Sequence, residues 1–340
     1  MPLRDPVFNP PFNIVRASHV ELGVSDLAKS RAFYVDCLGY LVSDEDKDAL
    51  YLRGVEERNH HSVVLRKSAD IAALAIGFKV GGEEDLDKAA EWFAARKLPV
   101  SWPNVPFQGR TLRTVDPVGM PLDLYFKMDR VPSMLQKYAA YKGARIQRID
   151  HINCFTPDVQ KSYDFYTELG FRLTEATETE GADPKLWAVW MQRRGSTHDL
   201  AFTNGRGPRL HHIGVWNSNA LDILHTCDVM ATSGYLANME RGPGRHGIAN
   251  AFFLYVRDPD GHRTELLLPG IQVIDIDDEP VRCPVSPKAN SNLWGLPAPR
   301  TWVEEATNFS GVEIRRPPVE GEPMTAEKYL AARTPEAVVS

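Results

Sequence analysis

An internal repeat constrains this chain more than any other feature of its sequence. The block His19–Gly39 has a strand-like start, a Phe-Tyr pair and a Leu-Gly end, and the block His151–Gly170 repeats all three in order. Further along, Asp116-Pro-Val-Gly119 is matched by Asp258-Pro-Asp-Gly261. A duplicated sequence predicts two halves of similar fold. The length of 340 residues suits two domains.

Each half divides again into two smaller units of one strand, one helix and two further strands. In the first half the strands are predicted at His19–Val24, Ala49–Arg53, Ser62–Arg66, Ala72–Val80, Leu112–Val115 and Leu122–Phe126, with helices at Asp26–Leu38 and Glu83–Arg96. In the second half the strands are predicted at His151–Phe155, Leu186–Gln192, Asp199–Thr203, His211–Trp216, Ala251–Val256 and Arg263–Leu268, with helices at Val159–Leu169 and Ala220–Ser233. Four such units predict an α+β chain.

The repeat also sets the predicted domain boundaries. Residues 1–142 are predicted to form one domain and residues 143–280 a second, with a helical connector over Asp129–Arg148. Residues 281–340 form a tail rich in proline, which removes backbone donors and interrupts regular elements. We therefore expect the tail to act as a lid over the second domain or as a subunit contact.

Charge and composition exclude several classes of function. The formal net charge is −6 and no basic run is present, which argues against nucleic acid and anionic membranes as partners. No apolar stretch approaches the ~20 residues of a membrane span, and the first residues do not resemble a secretory signal. The four cysteines are scattered without a Cys-x-x-Cys pair, which is typical of reduced thiols in the cytoplasm.

Three residues in the second half suggest a metal site. His151 opens the first strand of the third unit, His212 lies in the first strand of the fourth, and Glu265 lies in the last strand of the fourth. Two imidazoles and one carboxylate on one face leave the other coordination positions open, as in non-haem Fe(II) oxygenases. The first half keeps His19 and Asp123 at the matching places but has Ala75 in place of the second histidine. We therefore predict one metal ion per chain.

Longer motifs resemble a known family. The run Gly244-Arg-His246, Leu254-Tyr255, Asp258-Pro-Asp-Gly261 and Glu265 resembles the signature of the extradiol ring-cleaving catechol dioxygenases at every position. The surrounding sequence resembles the homoprotocatechuate (3,4-dihydroxyphenylacetate) 2,3-dioxygenases in particular, through 150–153, 187–191, 197–199, 207–212 and 240–247. The resemblance implies the vicinal-oxygen-chelate fold, with four βαβββ modules in two tandem domains. It also implies a homotetramer.

The resemblance assigns a role to each matching residue. It implies that His151, His212 and Glu265 hold Fe(II), or Mn(II) as in some relatives, with O2 as co-substrate. His198 would be the acid or base beside the metal, since imidazole titrates near neutrality. The substrate would contact Asn153, Trp190, Arg241, His246 and Tyr255, where Tyr255 and His246 meet its oxygens and Arg241 meets a carboxylate.

The substrate implied by this resemblance is 3,4-dihydroxyphenylacetate or a related catechol, opened to a product of the 2-hydroxymuconate-semialdehyde type. One position departs from the family. The homoprotocatechuate enzymes carry a further arginine in the tail, whereas this chain has Asn290 or Ser291 there. Arg300 is the nearby candidate to replace it. A neutral alkyl- or aryl-catechol is therefore an alternative substrate.

Two alternative functions are compatible with the same fold. A glyoxalase-like isomerase would not need His198, His246 and Tyr255, and a protein that only sequesters an aromatic ligand would not need a complete metal triad. Structural roles are predicted for other histidines, namely His19, His60, His61 and His225. His211 should point to the face of its strand opposite His212. His262 and Arg263 should face solvent or a neighbouring subunit.

Overall fold

Two mixed β-sheets, one from each half of the repeat, form the framework of the molecule. The computed structural model describes residues 3–275, 277–285, 292–322 and 325–332. The first sheet has the order β2-β3-β4-β1-β5-β7-β6. Its strands are β1 Ile14–Val24, β2 Leu41–Glu45, β3 Ala49–Arg53, β4 Val63–Lys67, β5 Ala73–Val80, β6 Thr111–Val115 and β7 Pro121–Tyr125.

The second sheet has the order β13-β14-β15-β12-β8-β11-β10-β9-β16, and β17 pairs with β12. Its strands are β8 Arg148–Thr156, β9 Arg172–Glu178, β10 Leu186–Gln192, β11 Leu200–Asn204, β12 Arg209–Trp216, β13 Met239–Arg245, β14 Phe252–Arg257, β15 Arg263–Leu268, β16 Val281–Pro284 and β17 Thr307–Asn308. The helices are α1 Leu27–Arg31, α2 Glu83–Ala95, α3 Val159–Glu168, α4 Ala220–Thr232, α5 Arg300–Glu304 and α6 Ala326–Ala332. A π-helical turn, Ala32–Cys37, continues α1.

The predicted α+β architecture of βαβββ modules is confirmed, with one difference. Three modules are complete, and they begin with β1, β8 and β12. The module that begins with β5 has two strands after its helix, and an isolated bridge between Ser101 and Arg113 lies where the other modules have a third strand. Side chains cap the helices as their sequences indicate, since Asp26, Asp158 and Asn219 accept backbone N–H groups at the starts of α1, α3 and α4.

Three strands within the predicted modules, the two tail strands β16 and β17, and one connector differ from the sequence prediction. The missed strands β2, β9 and β13 each follow a helix, and they lie at or next to a sheet edge. The predicted helix over residues 129–148 was wrong, because this segment contains one 3-10 turn, Tyr138–Ala140, in otherwise irregular chain. Positive φ angles at Gln136, Gly143 and Arg145 interrupt any helix there.

The two halves pack around one continuous apolar core. Tyr166 on α3 stacks on Phe202 of its own half and contacts Phe78 of the other half. Buried polar contacts also cross between the halves, because the Tyr34 hydroxyl donates to Asp258 Oδ2 at 3.1 Å. Described parts of the tail pack on both halves, since β16 pairs with β9, β17 pairs with β12, and Phe309 forms a bridge with Ala73 of the first half. None of the described helices is long and apolar enough to cross a bilayer.

The prediction that His262 and Arg263 face solvent or a neighbouring subunit was wrong. The two side chains are 2% and 3% exposed. His262 Nε2 donates to the Gly23 carbonyl of the first half at 2.8 Å, and its Nδ1 accepts from the Thr307 hydroxyl at 2.8 Å. Arg263 pairs with Glu240. Both residues therefore join elements that are distant in sequence.

Replacing His262 with alanine tests the contact between the halves. We expect His262→Ala to lower the free energy of unfolding by about 1–3 kcal/mol, since it leaves a buried carbonyl and a buried hydroxyl without partners. The matched control is His225→Ala on the exposed face of α4, with an expected change within about 0.5 kcal/mol. Denaturant unfolding measures both, and equal losses would contradict the interpretation.

Candidate functional site

The register of three adjacent strands brings the three predicted metal ligands together. Within β12, Gly214 pairs with His151 of β8 on one side and with Glu265 of β15 on the other. Side chains alternate along a strand, so His212, two residues before Gly214, lies on the same face as both. Gly214 itself is needed, because a β-carbon there would lie 2.2 Å from Cε1 of His151.

The ligand atoms converge with the geometry of a metal site. His151 Nε2 lies 3.1 Å from His212 Nε2 and 3.1 Å from Glu265 Oε2, and His212 Nε2 lies 3.3 Å from Glu265 Oε2. Ligands about 2.2 Å from a metal and at right angles to one another lie about 3.1 Å apart, so these atoms match one triangular face of an octahedron. All three residues are buried.

Hydrogen bonds behind the ligands fix their tautomers. His151 Nδ1 lies 2.9 Å from Asp150 Oδ2, so this nitrogen carries a proton and Nε2 is the nitrogen that would bind a metal. His211 Nε2 donates to the Trp302 carbonyl at 3.0 Å. The His211 Nδ1 therefore accepts from His212 Nδ1, 2.6 Å away, and the Nε2 lone pair of His212 is free.

This arrangement corrects the expectation for His211. The residue does not simply point away from His212, because the register of β12 against β8 shifts between Leu210 and His212. The irregularity brings the two rings side by side, and both line the same cavity. His211 thus positions a ligand as well as supporting the fold.

The charge states of the site favour binding of a cation. Burial opposes ionisation of Glu265, but hydrogen bonds from His151, His212 and His246 hold the pKa of this carboxyl well below its usual range. Burial lowers the pKa of His212 to about 4, so the ring is neutral. Burial and the Glu265 charge raise the pKa of Tyr255 well above 10, so its hydroxyl keeps the proton. Burial opposes protonation of His151, but hydrogen bonds to Asp150 and Glu265 raise the pKa of its ring to about 9, so a bound metal ion would replace the proton on its Nε2.

The triad lies in a cavity of about 470 Å³. The other residues predicted for the site also line it, namely Asn153, Trp190, His198, Arg241, His246 and Tyr255. His198 packs against His151 with 4.1 Å between ring centroids, and neither of its ring nitrogens has a hydrogen-bond partner among the described residues. Burial lowers the pKa of His198 well below 6.5. A neutral imidazole with free nitrogens is suited to form a hydrogen bond with a ligand.

His246 and Tyr255 form a pair beside Glu265. His246 Nε2 lies 2.9 Å from the Tyr255 hydroxyl and 3.5 Å from Glu265 Oε1. The His246 ring stacks on Phe253, with centroids 3.8 Å apart, which fixes its plane. Two polar groups thus face the cavity next to the metal position, where they can donate to oxygen atoms of a ligand.

Arg241 is a buried cation in the cavity wall. Its guanidinium lies over Trp302 at 4.4 Å, and its Nη2 donates to Asn292 Oδ1 at 2.6 Å. Its Nε has no partner among the described residues. Arg300 is placed differently, since its side chain is 78% exposed and pairs with Glu304. Positions 290 and 291 lie outside the described residues, so the departure from the family found there is not located.

The tail supplies cavity residues that the sequence did not reveal. Trp302 of α5 contacts His211, His212 and Tyr255 through its ring. Cys283, Pro284, Val285 and residues 320–322 also line the cavity, and we call these tail residues and Trp302 the roof. No local motif marks these residues, because each reaches the cavity through long-range contacts.

Glu175 holds the loop that carries His246. Its Oε1 accepts from the Ala249 backbone N–H at 2.9 Å, and Ala249 and Asn250 both have φ near +54°. The other oxygen, Oε2, is buried without a partner among the described residues. Burial raises the pKa of Glu175 to about 7. The loop therefore depends on a carboxyl group that titrates near neutrality.

Comparison with known proteins agrees with this geometry. The profile of the Glyoxalase/Bleomycin resistance protein/Dioxygenase superfamily matches residues 16–113 and 148–266. The solved complex of homoprotocatechuate 2,3-dioxygenase from Brevibacterium fuscum with 3,4-dihydroxyphenylacetate has 37% sequence identity and a TM-score of 0.86. The match covers 92% of this chain and 99% of that chain.

Two curated relatives match over most of their length. The manganese-dependent 2,3-dihydroxybiphenyl 1,2-dioxygenase of Geobacillus genomosp. 3 is 29% identical over 284 residues, which are 79% of this chain and 89% of the relative. The metapyrocatechase of Geobacillus stearothermophilus is 26% identical over 326 residues, which are 91% of this chain and 98% of the relative. All these proteins carry names of dioxygenases that act on a catechol or a substituted catechol.

A methyl group at Gly214 should disturb the metal site selectively. We expect Gly214→Ala to weaken Mn²⁺ binding roughly 10–100-fold, because the added carbon displaces the His151 ring. The control is Gly77→Ala, whose β-carbon would lie 2.1 Å from the ring of His19 in the first half. This variant should lose thermal stability but keep its metal affinity. Calorimetric titration measures the Mn²⁺ affinity of both variants, and an equal loss of affinity in the two would contradict the prediction.

Ionisation of Glu175 should make the free energy of unfolding depend on pH. The unfolded chain releases this proton near pH 4.5 and the folded chain near pH 7, so its contribution to the free energy of unfolding falls as the pH rises through this window. Glu175→Gln removes this dependence. Between pH 5 and pH 8, we expect the parent to lose roughly 3 kcal/mol relative to the variant. Denaturant unfolding tests this, and parallel pH profiles would refute it.

Proposed function

The chain belongs to the extradiol ring-cleaving dioxygenases of the Glyoxalase/Bleomycin resistance protein/Dioxygenase superfamily, and on this premise we propose that it opens a substituted catechol with O2 at one Fe(II) ion. The observation that carries the proposal is the triangular face of ligand atoms from His151, His212 and Glu265. It lies in a cavity whose other polar groups, His198, His246 and Tyr255, surround the open side. We place this chemistry in the predicted second domain, residues 143–280, under the tail.

Fe(II) suits these residues, since two neutral imidazoles and a carboxylate are the ligand set of non-haem iron oxygenases. When bound, the ion supplies a Lewis acid with open positions for the catechol oxygens and for O2. Mn(II) takes the same ligands, and one relative is named manganese-dependent. Metal analysis of the purified protein, followed by reloading of the metal-free protein with each ion, distinguishes the two.

The protein's own groups hold the substrate and move its protons. Tyr255 keeps its proton and donates from its hydroxyl, and His246 lies 2.9 Å from that hydroxyl, so the pair can bind substrate oxygens. His198 has free ring nitrogens and is neutral, so it can accept the proton that a catechol loses on binding and return it later. Asn153 and Trp190 shape the cavity wall.

The overall reaction adds both atoms of O2 to the substrate and breaks the ring bond next to the diol. The product is a ring-opened semialdehyde of the 2-hydroxymuconate type. No external reductant is needed, because the catechol itself is oxidised. A glyoxalase-like isomerase would not need His198, His246 and Tyr255, and a protein that only sequesters an aromatic ligand would not need a complete metal triad.

For the substrate we propose 3,4-dihydroxyphenylacetate or a related catechol. Arg241 supports this proposal, because a buried guanidinium with a free Nε is suited to a carboxylate. A neutral alkyl- or aryl-catechol is the second candidate. The cavity wall supports that candidate, since Pro284, Val285 and Val303 are apolar.

Oxygen uptake by the Fe(II)-loaded protein tests the function. The panel consists of catechol, 4-methylcatechol, 3,4-dihydroxyphenylacetate and 2,3-dihydroxybiphenyl. We expect one O2 consumed per ring with a yellow product. No uptake with any diol, despite one iron bound per chain, would overturn the dioxygenase proposal.

Two arginine variants separate the substrate candidates. For 3,4-dihydroxyphenylacetate, Arg241→Met should lower kcat/KM roughly 10–100-fold, the cost of a lost charge-assisted hydrogen bond, and 4-methylcatechol should be affected far less. Arg300→Met is the control and should change neither, because its side chain is exposed and paired with Glu304. Equal losses on both substrates would contradict a carboxylate contact at Arg241.

We also propose a cytoplasmic homotetramer. The four cysteines support a reducing compartment, since all of them are free thiols in the fold. Light scattering tests the assembly, and a mass other than four chains would overturn it. Fractionation of the producing cells tests the location.

A further inference from the structure

The first half retains the backbone arrangement of the metal site in the second half. Gly77 of β5 pairs with His19 on one side and with Asp123 on the other, as Gly214 pairs with His151 and Glu265. The His19 ring also packs flat against Gly77, since a β-carbon there would lie 2.1 Å from Cε1 of that ring. Two ligand positions of the second half therefore have counterparts in the same register.

The third ligand position and its neighbour are different. Ala75 precedes Gly77 by two residues, as His212 precedes Gly214, and its methyl group cannot bind a metal. Tyr255 pairs with Glu265, and the residue that pairs with Asp123 is Arg113. An aromatic hydroxyl in one half is thus a guanidinium in the other.

The Arg113 guanidinium binds the counterpart carboxylate. Its Nε donates to Asp123 Oδ1 at 2.7 Å and its Nη2 donates to Oδ2 at 2.6 Å, a two-point pairing with a buried carboxylate. The other counterpart ligand is also engaged, because the Gln108 amide lies 3.2 Å from His19 Nε2 and donates to its lone pair. Both atoms that would bind a metal thus have protein donors as partners.

We infer that Arg113 serves as the permanent cation of the first half, in the place that the metal ion takes in the second half. Ala75 and Arg113 are then the two residues that keep the first half from binding a second divalent ion. The remaining ligands stay in position, and a cavity of about 260 Å³ beside them, lined by Ala75 and Arg113 among others, has room for an imidazole at position 75. The inference relies on the proposed metal site only for the baseline of one ion per chain.

The test restores the residues of the second half at both positions. The double variant Ala75→His/Arg113→Tyr should bind two Mn²⁺ ions per chain, against one for the parent, as counted by elemental analysis and calorimetric titration. Ala75→His alone should still bind one, because Arg113 continues to fill the site. A folded double variant that binds one ion, or a second ion in Ala75→His alone, would overturn the inference.

Adding Glu265→Ala to the parent and to the double variant identifies which site holds each ion. Glu265→Ala removes a ligand of the second half, so the parent with this change should bind no Mn²⁺ and the double variant with this change should bind one. If instead the parent itself binds no metal while the double variant binds one, the proposed metal site fails and the inference stands.

A further pair of variants does not depend on the double variant folding. Arg113→Lys keeps a positive charge next to Asp123, whereas Arg113→Met has a similar length without charge. If the guanidinium acts as a cation, the lysine variant should keep a melting temperature closer to that of the parent. Equal losses in the two variants would show that Arg113 acts through packing and would overturn the inference.

Discussion

The packing of an imidazole ring against a glycine on the neighbouring strand is the constraint from which the site follows. His151 lies so close to Gly214 that a single added carbon would meet its ring. This contact holds the ring on the cavity side of the sheet, and Glu265 flanks the same glycine from the opposite strand. The third ligand then needs only to come from the same face of the central strand, as His212 does.

A buried carboxylate requires a positive partner, because an uncompensated charge in the interior is costly. The second half meets this requirement with ligand atoms arranged for a metal ion. Asp150 and His211 set the tautomers of the two histidine ligands. The first half meets it with Arg113, which pairs with Asp123 through two hydrogen bonds. Each half thus has a buried carboxylate that needs a positive partner, and the two halves supply it differently. This explains how they share a backbone register and differ in chemistry.

The sequence predicted the repeat, the fold class and the residues around the cavity, because these depend on local motifs with fixed spacing along strands. It missed β2, β9 and β13, since strands at or near a sheet edge are half exposed and lack a clear alternation. It misplaced His262 and Arg263, because charged residues after a turn look exposed until a distant strand covers them. The roof residue Trp302 had no local signal, since its partner His211 lies 91 residues away in the sequence.

The position of the roof at the end of the chain has a consequence for biosynthesis. All three ligands precede residue 266, whereas β16, α5 and residues 320–322 follow it, as does the Trp302 carbonyl that sets the tautomers of His211 and His212. A ribosome therefore completes the second sheet's ligand-bearing strands before it releases the segments that cover them.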